Sequence, residues 1–419
     1  MKKSTLAAAI VPLALLAAAC GSSAKSEPAA TTAAAAGAEP AVTEAAAEPP
    51  VTEAAADPAV TEAVEPAVTE VAAVEGDAAG VQAAADIISS LAAPPAKIGP
   101  TIPLTGKPEK KTVAWLQCEL PSCLAITPGF EAATKALGWD LQTISVGSFT
   151  PQEAFQQAID AKVDFVAITG TPAATIQAQI DAAKAAGIGF GSCYSTDRPS
   201  PEANILIQCG DDTGVFFNGA IVSNWAIADS KGAAHTLIVN IPDFPVLVAE
   251  ADGAKDAYKT NCSACEVTEL DVTIDQLIAG EIPAAVVSKL QSDPSINYIH
   301  YAFGDLPAGV LEAIEAAGLT DQVKNIGVDA ATALGFTGVS EGTHSAWTVN
   351  PKPYAGWLMV DAFARASLGM DNPEERDNAK LPTFIVADKA TADKIIAAGP
   401  DGWPGPDGYE AQFATLWGV

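Results

Sequence analysis

From Lys111 onward, strand-length apolar runs alternate with helical segments of about ten to fifteen residues, and this alternation leaves few folds open to the chain. Residues 112–118, 141–146, 164–169, 188–193 and 204–209 read as strands, and residues 128–137, 151–161 and 172–186 as helices. Gly187 ends the third helix, because a residue without Cβ accepts the left-handed conformation of a helix C-terminus. Strands separated by helices of this length need right-handed crossovers, so the predicted sheet is parallel and covered on both faces. The pattern then repeats. Helices are predicted over 214–228, 247–259, 282–291 and 307–317, with strands over 236–240, 266–271, 298–302, 325–328 and 345–349. One core rarely serves a chain beyond roughly 250–300 residues, so two α/β lobes with Rossmann-like parallel sheets are expected.

The N-terminal part of the chain cannot contribute to such a core. Residues 21–76 repeat the pattern that begins Glu39-Pro40-Ala41-Val42-Thr43-Glu44, with no aromatic residue and a proline every eight or nine positions. This composition buries too little apolar surface to offset chain entropy, so a disordered tether is expected. Stretched at about 3 Å per residue, it would reach on the order of 100 Å or more. A short helix is predicted around Ile87, Ile88 and Leu91, followed by a proline-rich run over 94–108 that leads into the body.

Ahead of the tether stand Lys2 and Lys3, an apolar stretch from Leu6 to Ala19, and Ala17-Ala18-Ala19 immediately before Cys20. The stretch is interrupted by Pro12 and is short for a bilayer span. It reads as a cleaved signal over residues 1–19, and it resembles a bacterial lipobox with Ala17 in place of the more usual leucine. That resemblance implies lipidation of Cys20 and attachment to the outer face of the cell membrane; a plain secretory signal is the alternative. The six later cysteines fall into three near pairs, Cys118 with Cys123, Cys193 with Cys209, and Cys262 with Cys265. In an oxidising compartment local disulfides are expected, since the scattered His235, His300 and His344 do not complete a zinc site.

The formal net charge is -29. Residues 21–76 hold ten acidic residues against Lys25 alone, but the body is acidic as well. Such a surface repels phosphate backbones and anionic headgroups, so no nucleic-acid partner is expected, and membrane contact would come through lipid. Neither a Gly-x-Ser-x-Gly elbow, an HExxH helix nor a phosphate loop is present. No enzyme, cofactor or metal is therefore expected. A wall hydrolase using Glu250, Asp305 and Asp329 is the weaker reading.

Ligands of open parallel sheets settle beyond the carboxyl ends of the strands, and two facing lobes make a cleft there. The predicted strand ends carry Gln117, Glu119, Thr171, Tyr194, Ser195, Asp243, Phe244, Phe303, Asp305, Asp329, Trp347 and Asn350. Aromatic faces with amides, carboxylates and hydroxyls suit a polar, ring-shaped ligand. Asp305 and Asp329 are also plausible helix N-caps.

The body resembles the type I periplasmic binding proteins, of the kind that bind ribose and galactose. The match lies in Gly210-Asp211-Asp212 with Gly214 and Gly219; in Gly253-Ala254-Lys255-Asp256-Ala257; in Gly304-Asp305 with Gly309, Ala313 and Ala316-Ala317-Gly318; in Asn325-Ile326-Gly327-Val328-Asp329; and in Val349-Asn350-Pro351 with Gly356. It implies three chain crossings, near 209–211, 350 and 381. Lobe one would hold 93–209 and 350–381, and lobe two 210–349 and 382–419. It further implies that Asp329 contacts ligand hydroxyls, that the ligand is a carbohydrate, and that a monomer delivers it to an ABC transporter permease. Docking on a sensor kinase, or a nucleoside or amino-acid ligand, is the alternative. Tyr194-Ser195 stands where such proteins often carry Asp-Arg, and Glu250 where they often carry arginine. The cleft is thus expected to lack fixed positive charge and to favour a neutral ligand.

Overall fold

The computed structural model describes residues 75–147, 150–330 and 333–419. The signal segment, Cys20 and the repeats of the expected tether lie outside the described residues.

The first lobe is built from β1 (Thr112–Gln117), the short α2 (Pro121–Leu124), α3 (Thr127–Leu137), β2 (Asp140–Ser145), α4 (Pro151–Asp160), β3 (Phe165–Thr169), α5 (Gln177–Ala185), β4 (Gly189–Cys193) and β5 (Ile205–Gln208), preceded in the chain by α1 (Glu75–Ser90). Its strands pair in the order β2-β1-β3-β4-β5, all parallel. The second lobe follows with α6 (Asp212–Asp229), β6 (His235–Asn240), α7 (Pro245–Asn261), β7 (Glu266–Asp271), α8 (Ile274–Ala279), α9 (Ile282–Ser292), β8 (Tyr298–Tyr301), α10 (Val310–Ala316), β9 (Lys324–Ala330), α11 (Ala333–Glu341) and β10 (Ala346–Val349). The chain then forms α12 (Lys352–Ser367), α13 (Pro373–Asn378), β11 (Phe384–Val386), α14 (Lys389–Ala398) and α15 (Tyr409–Trp417). The second sheet runs β11-β10-β9-β8-β6-β7, parallel except for β11. Two lobes with parallel sheets are thus the observed architecture, as the sequence predicts.

Helices cover both faces of each sheet. In lobe one, Trp115, Phe165, Phe363 and Tyr354 fill one side, while Leu116, Val166, Phe155 and Ile180 fill the other. Two helix pairs approach through reciprocal glycines. A Cβ on Gly129 of α3 would stand 1.8 Å from the Pro353 carbonyl oxygen, and one on Gly356 of α12 would stand 2.6 Å from the Phe130 amide nitrogen. In lobe two, a Cβ on Gly219 of α6 would meet the Glu250 carbonyl oxygen at 1.9 Å, and one on Gly253 of α7 the Phe216 carbonyl oxygen at 1.9 Å. Backbones can come this close only without side chains. These contacts set the starts of α12 and α7, which carry Lys352 and Glu250.

The ends of the body depart from the expected lobe boundaries. Helix α1 forms where a short helix is predicted around Ile87, Ile88 and Leu91, and it packs on lobe two: Ala84 is buried with Ile221 and Val222 of α6, and Val81, Ile88 and Leu91 pack on the same cluster. The Leu91 carbonyl accepts from the Ile385 amide at 2.9 Å. The described residues therefore begin in lobe two. Helix α15, expected in lobe two, packs instead on lobe one. Phe413 and Trp417 stack on Trp357, and Trp417 Nε1 donates to the buried Asp361 at 2.8 Å. Since Trp403 packs against Phe384 in lobe two, the chain crosses again between Trp403 and Tyr409, as it also does between Leu91 and Ile98. All three expected disulfides are closed.

Truncating Phe413 in the lobe-one core should cost about 3–5 kcal/mol, the usual range for a buried Phe→Ala change. Urea denaturation of Phe413→Ala checks this, and a loss below about 1 kcal/mol would contradict the placement of α15.

Candidate functional site

Between the lobes lies a cavity of about 500 Å³, bounded by the strand ends of both sheets. Its floor is formed by Lys352, Asp329, Tyr194 and Glu250, with Asn350 and Thr348 behind Asp329. Lys352, at the first position of α12, pairs with Asp329 at the end of β9, with Nζ and Oδ2 2.5 Å apart and both side chains buried. The same ammonium lies 3.6 Å from the centre of the Tyr194 ring, a cation–π contact. Asn350 Nδ2 donates to Asp329 Oδ1 at 3.1 Å, and Thr348 Oγ1 accepts from the Asp329 amide. Glu250 completes the floor from α7 and is only 3 % exposed.

Tyr194 and Asp329 both have left-handed backbones, at φ 55° and 58°. For residues with a Cβ this costs on the order of 1–3 kcal/mol each and persists only where the surroundings enforce it. Tyr194 is enforced by the turn that leaves β4 beside the Cys193–Cys209 disulfide, and Asp329 by its three polar contacts.

Burial raises the Glu250 carboxyl well above its ordinary value, and repulsion from Asp329 adds to this while Lys352 opposes it. Burial, then Asp329 and Glu250, likewise push the Tyr194 phenol far up. Burial thus favours the neutral form of each, and both present a buried atom without a protein partner: Tyr194 Oη and Glu250 Oε2. The charge of Lys352, by contrast, is matched within the protein.

Of the residues expected here, Thr171, Tyr194, Asp243, Phe244, Glu250, Phe303 and Asp329 line the cavity. Asn350 acts one step back, through Asp329. Asp305 faces the other lobe, where its Oδ2 accepts from Ser122 Oγ at 2.9 Å; burial raises its carboxyl, and the Ser122 bond opposes the rise. The remaining expectations are corrected. Gln117 turns toward α3, where Oε1 accepts from Thr127 Oγ1 at 2.5 Å. Glu119 is exposed outside the cavity. Ser195 bonds to Asp197 within its own turn. Trp347 is fully buried in lobe two, stacked on Tyr301, with its indole N–H on His344. Its ring occupies space left by Gly327, where a Cβ would approach to 2.4 Å.

Lys352 overturns the expectation that the cleft lacks positive charge, although the ion pair keeps the cavity without a free cation. The signal was present in Asn350-Pro351-Lys352-Pro353, a lysine set between an apolar strand and an apolar helix. Ser122, Gln152, Thr169 and Thr175 also line the cavity without having been anticipated. Cys118 and Cys123 line it too, so that disulfide forms part of the wall. Among the described residues, no group of His, Cys, Asp and Glu is arranged to hold a metal ion, and no helix is long and apolar enough to cross a membrane.

The raised Glu250 carboxyl makes a signed prediction for stability. The folded protein holds the proton more tightly than the unfolded chain, where it leaves near pH 4.5. Stability contributed by the protonated form is present below that pH and is lost as pH rises toward the folded value. Glu250→Gln has no proton to lose. Its stability relative to the parent should therefore grow from pH 4.5 to pH 8, by at most about 1.4 kcal/mol per pH unit. Urea midpoints of both proteins across that range give the measurement, and parallel pH profiles would show that Glu250 titrates normally.

No curated protein matches the chain. Solved structures resemble it at 15–21 % identity. A carbohydrate transporter protein from Acidothermus cellulolyticus, in complex with myo-inositol, is 21 % identical with a TM-score of 0.57, covering 69 % of this chain and 98 % of its own. An ABC transporter solute-binding protein from Mycobacterium smegmatis, with bound glycerol, is 21 % identical with a TM-score of 0.58, covering 70 % and 99 %. A 5-methylthioribose transporter solute-binding protein from Thermotoga lettingae, in complex with 5-methylthioribose, is 18 % identical with a TM-score of 0.58, covering 75 % and 99 %. The fold is thus that of the type I periplasmic binding proteins. Residues 123–370, more than half of the chain, match the family described as the periplasmic binding protein domain. The chain belongs to this family, which is one of binding proteins and not of enzymes.

Proposed function

We propose that the chain is a lipid-anchored, extracytoplasmic solute-binding protein that captures a small neutral polyol or sugar and delivers it to an ABC importer. The floor of the cavity carries this reading. Tyr194 Oη and Glu250 Oε2 are buried and without partners, burial favours the neutral form of both groups, and the charge of Lys352 is already matched by Asp329. A carboxylic acid and a phenol can each donate and accept, which complements hydroxyl groups and offers no counter-charge to an ion. The bound myo-inositol, glycerol and 5-methylthioribose of the similar structures are neutral hydroxylated molecules and support the same reading.

Capture would proceed by hinge closure, since contacts reaching both lobes favour the closed state over the open one. The signal-like N-terminus and Cys20 support anchoring, and the acidic repeats support a spacer between membrane and body. Two or more acyl chains would suffice for stable attachment.

A ligand at a hundred times its dissociation constant should stabilise the protein by about 2.7 kcal/mol, which a thermal-shift screen of sugars, polyols, nucleosides and amino acids would detect. Stabilisation by an amino acid with none from any hydroxylated ligand would overturn the proposal. Tyr194→Phe, which removes a single hydroxyl, should weaken binding of the best ligand by about 3–10-fold in calorimetry. Replacing Cys20 by alanine should shift the protein from the membrane fraction to the soluble one.

A further inference from the structure

The cavity has more apolar wall than a fully hydroxylated sugar can use. From lobe one it is faced by Leu116, Val146 and Ile168, and from lobe two by Ile241, Phe244 and Phe303, with Phe244 and Phe303 only half-buried. Several polar side chains at the cavity are already committed. Lys352 and Asp329 hold each other, Ser122 holds Asp305, and the Gln152 amide donates to the Thr175 carbonyl at 3.0 Å. Unpartnered buried atoms are gathered at the Tyr194–Glu250 end. A sugar hydroxyl pressed against a hydrocarbon wall loses its water and gains nothing, which costs on the order of tenfold in affinity for each such group. A methylene or aromatic carbon in the same place gains about fourfold per buried CH₂. A volume of about 500 Å³ also leaves room beyond one sugar ring, within the range of roughly 300–1,000 Å³ usual for larger organic ligands.

We propose that the ligand is amphipathic: a monosaccharide or cyclitol carrying an apolar substituent, with its hydroxyls on Tyr194 and Glu250 and the substituent between the aliphatic wall of lobe one and Phe244 and Phe303 of lobe two. This rests on the reading of the cleft as a site for hydroxylated ligands, and it narrows that class. The site would then reject bare hexoses through their surplus hydroxyls, and would draw its affinity from the wall.

Matched pairs test it by isothermal calorimetry on the full chain: D-ribose against 5-methylthioribose, D-glucose against phenyl glucoside, and myo-inositol against an O-methyl ether of it. In at least one pair the substituted member should bind tenfold or more tighter than its parent. Parents that bind as tightly as their substituted partners would overturn this proposal and leave the polyol reading intact. Binding by no member of any pair would overturn both. The Phe244→Ala variant should reduce the substituted-to-parent preference at least threefold, a ratio that partial misfolding does not alter. An unchanged ratio would remove Phe244 from the proposed contact.

Discussion

The ion pair between Lys352 and Asp329 is the interaction on which the arrangement of the lobes turns. It joins the first residue of a lobe-one helix to the last turn of a lobe-two strand, in a place with little water. Taking both charges out of water costs several kcal/mol per ion, and only close geometry with further hydrogen bonds recovers this. The structure supplies both. The pair has Asn350 and Thr348 on the Asp329 side and the Tyr194 ring on the Lys352 side, and two left-handed residues are held to bring these groups together. The reciprocal glycines of α3 and α12 set where the lysine stands. With the cation matched at the hinge side of the cavity, burial favours the neutral forms of Tyr194 and Glu250 beside it, and the proposed ligand chemistry rests on those two groups.

Most of the lobe architecture was legible because its strands and amphipathic helices alternate with a clear period. The observed β1 to β10 fall within two or three residues of the predicted strands. Helix α12 was not legible. Pro353, Tyr354, Trp357, Leu358, Met359 and Phe363 bury it on every side, so it has no polar stripe to mark a helical period. The site suffered from this directly, since Lys352 lies at its start. Strand β11 has three residues and pairs antiparallel at a sheet edge, too short to show alternation. Trp347 misled for a different reason. Being aromatic near a strand end does not determine which face a side chain takes, and here the vacancy above Gly327 draws the ring inward. Glu119 and Ser195 stand beside the cleft by position, but local turns direct them elsewhere.

Neither the lobe of α15 nor the packing partner of α1 was legible in the sequence, and for the same cause. Neither α1 nor α15 carries a motif that names its partner; only tertiary packing places them. Ala84 fits against α6 because it is small, and Trp417 reaches Asp361 because α12 presents that carboxylate inward. Buried Asp361 also holds Arg365, whose guanidinium lies 3.6 Å from Glu375, and Glu375 in turn accepts from Thr101 at the entry to lobe one. A polar network of this kind ties segments far apart in the chain, which local pattern reading cannot see.

The interleaving of the termini bears on how the protein is made. Lobe one needs Tyr409–Trp417 to close its core, and lobe two begins with α1 yet needs β11 and α14 from near the other end. Neither lobe is a contiguous stretch that could fold while the rest is still being synthesised. A chain with this layout remains short of a finished lobe-one core until Tyr409–Trp417 emerge. The order of the segments along the chain is thus itself a delay in completing either core.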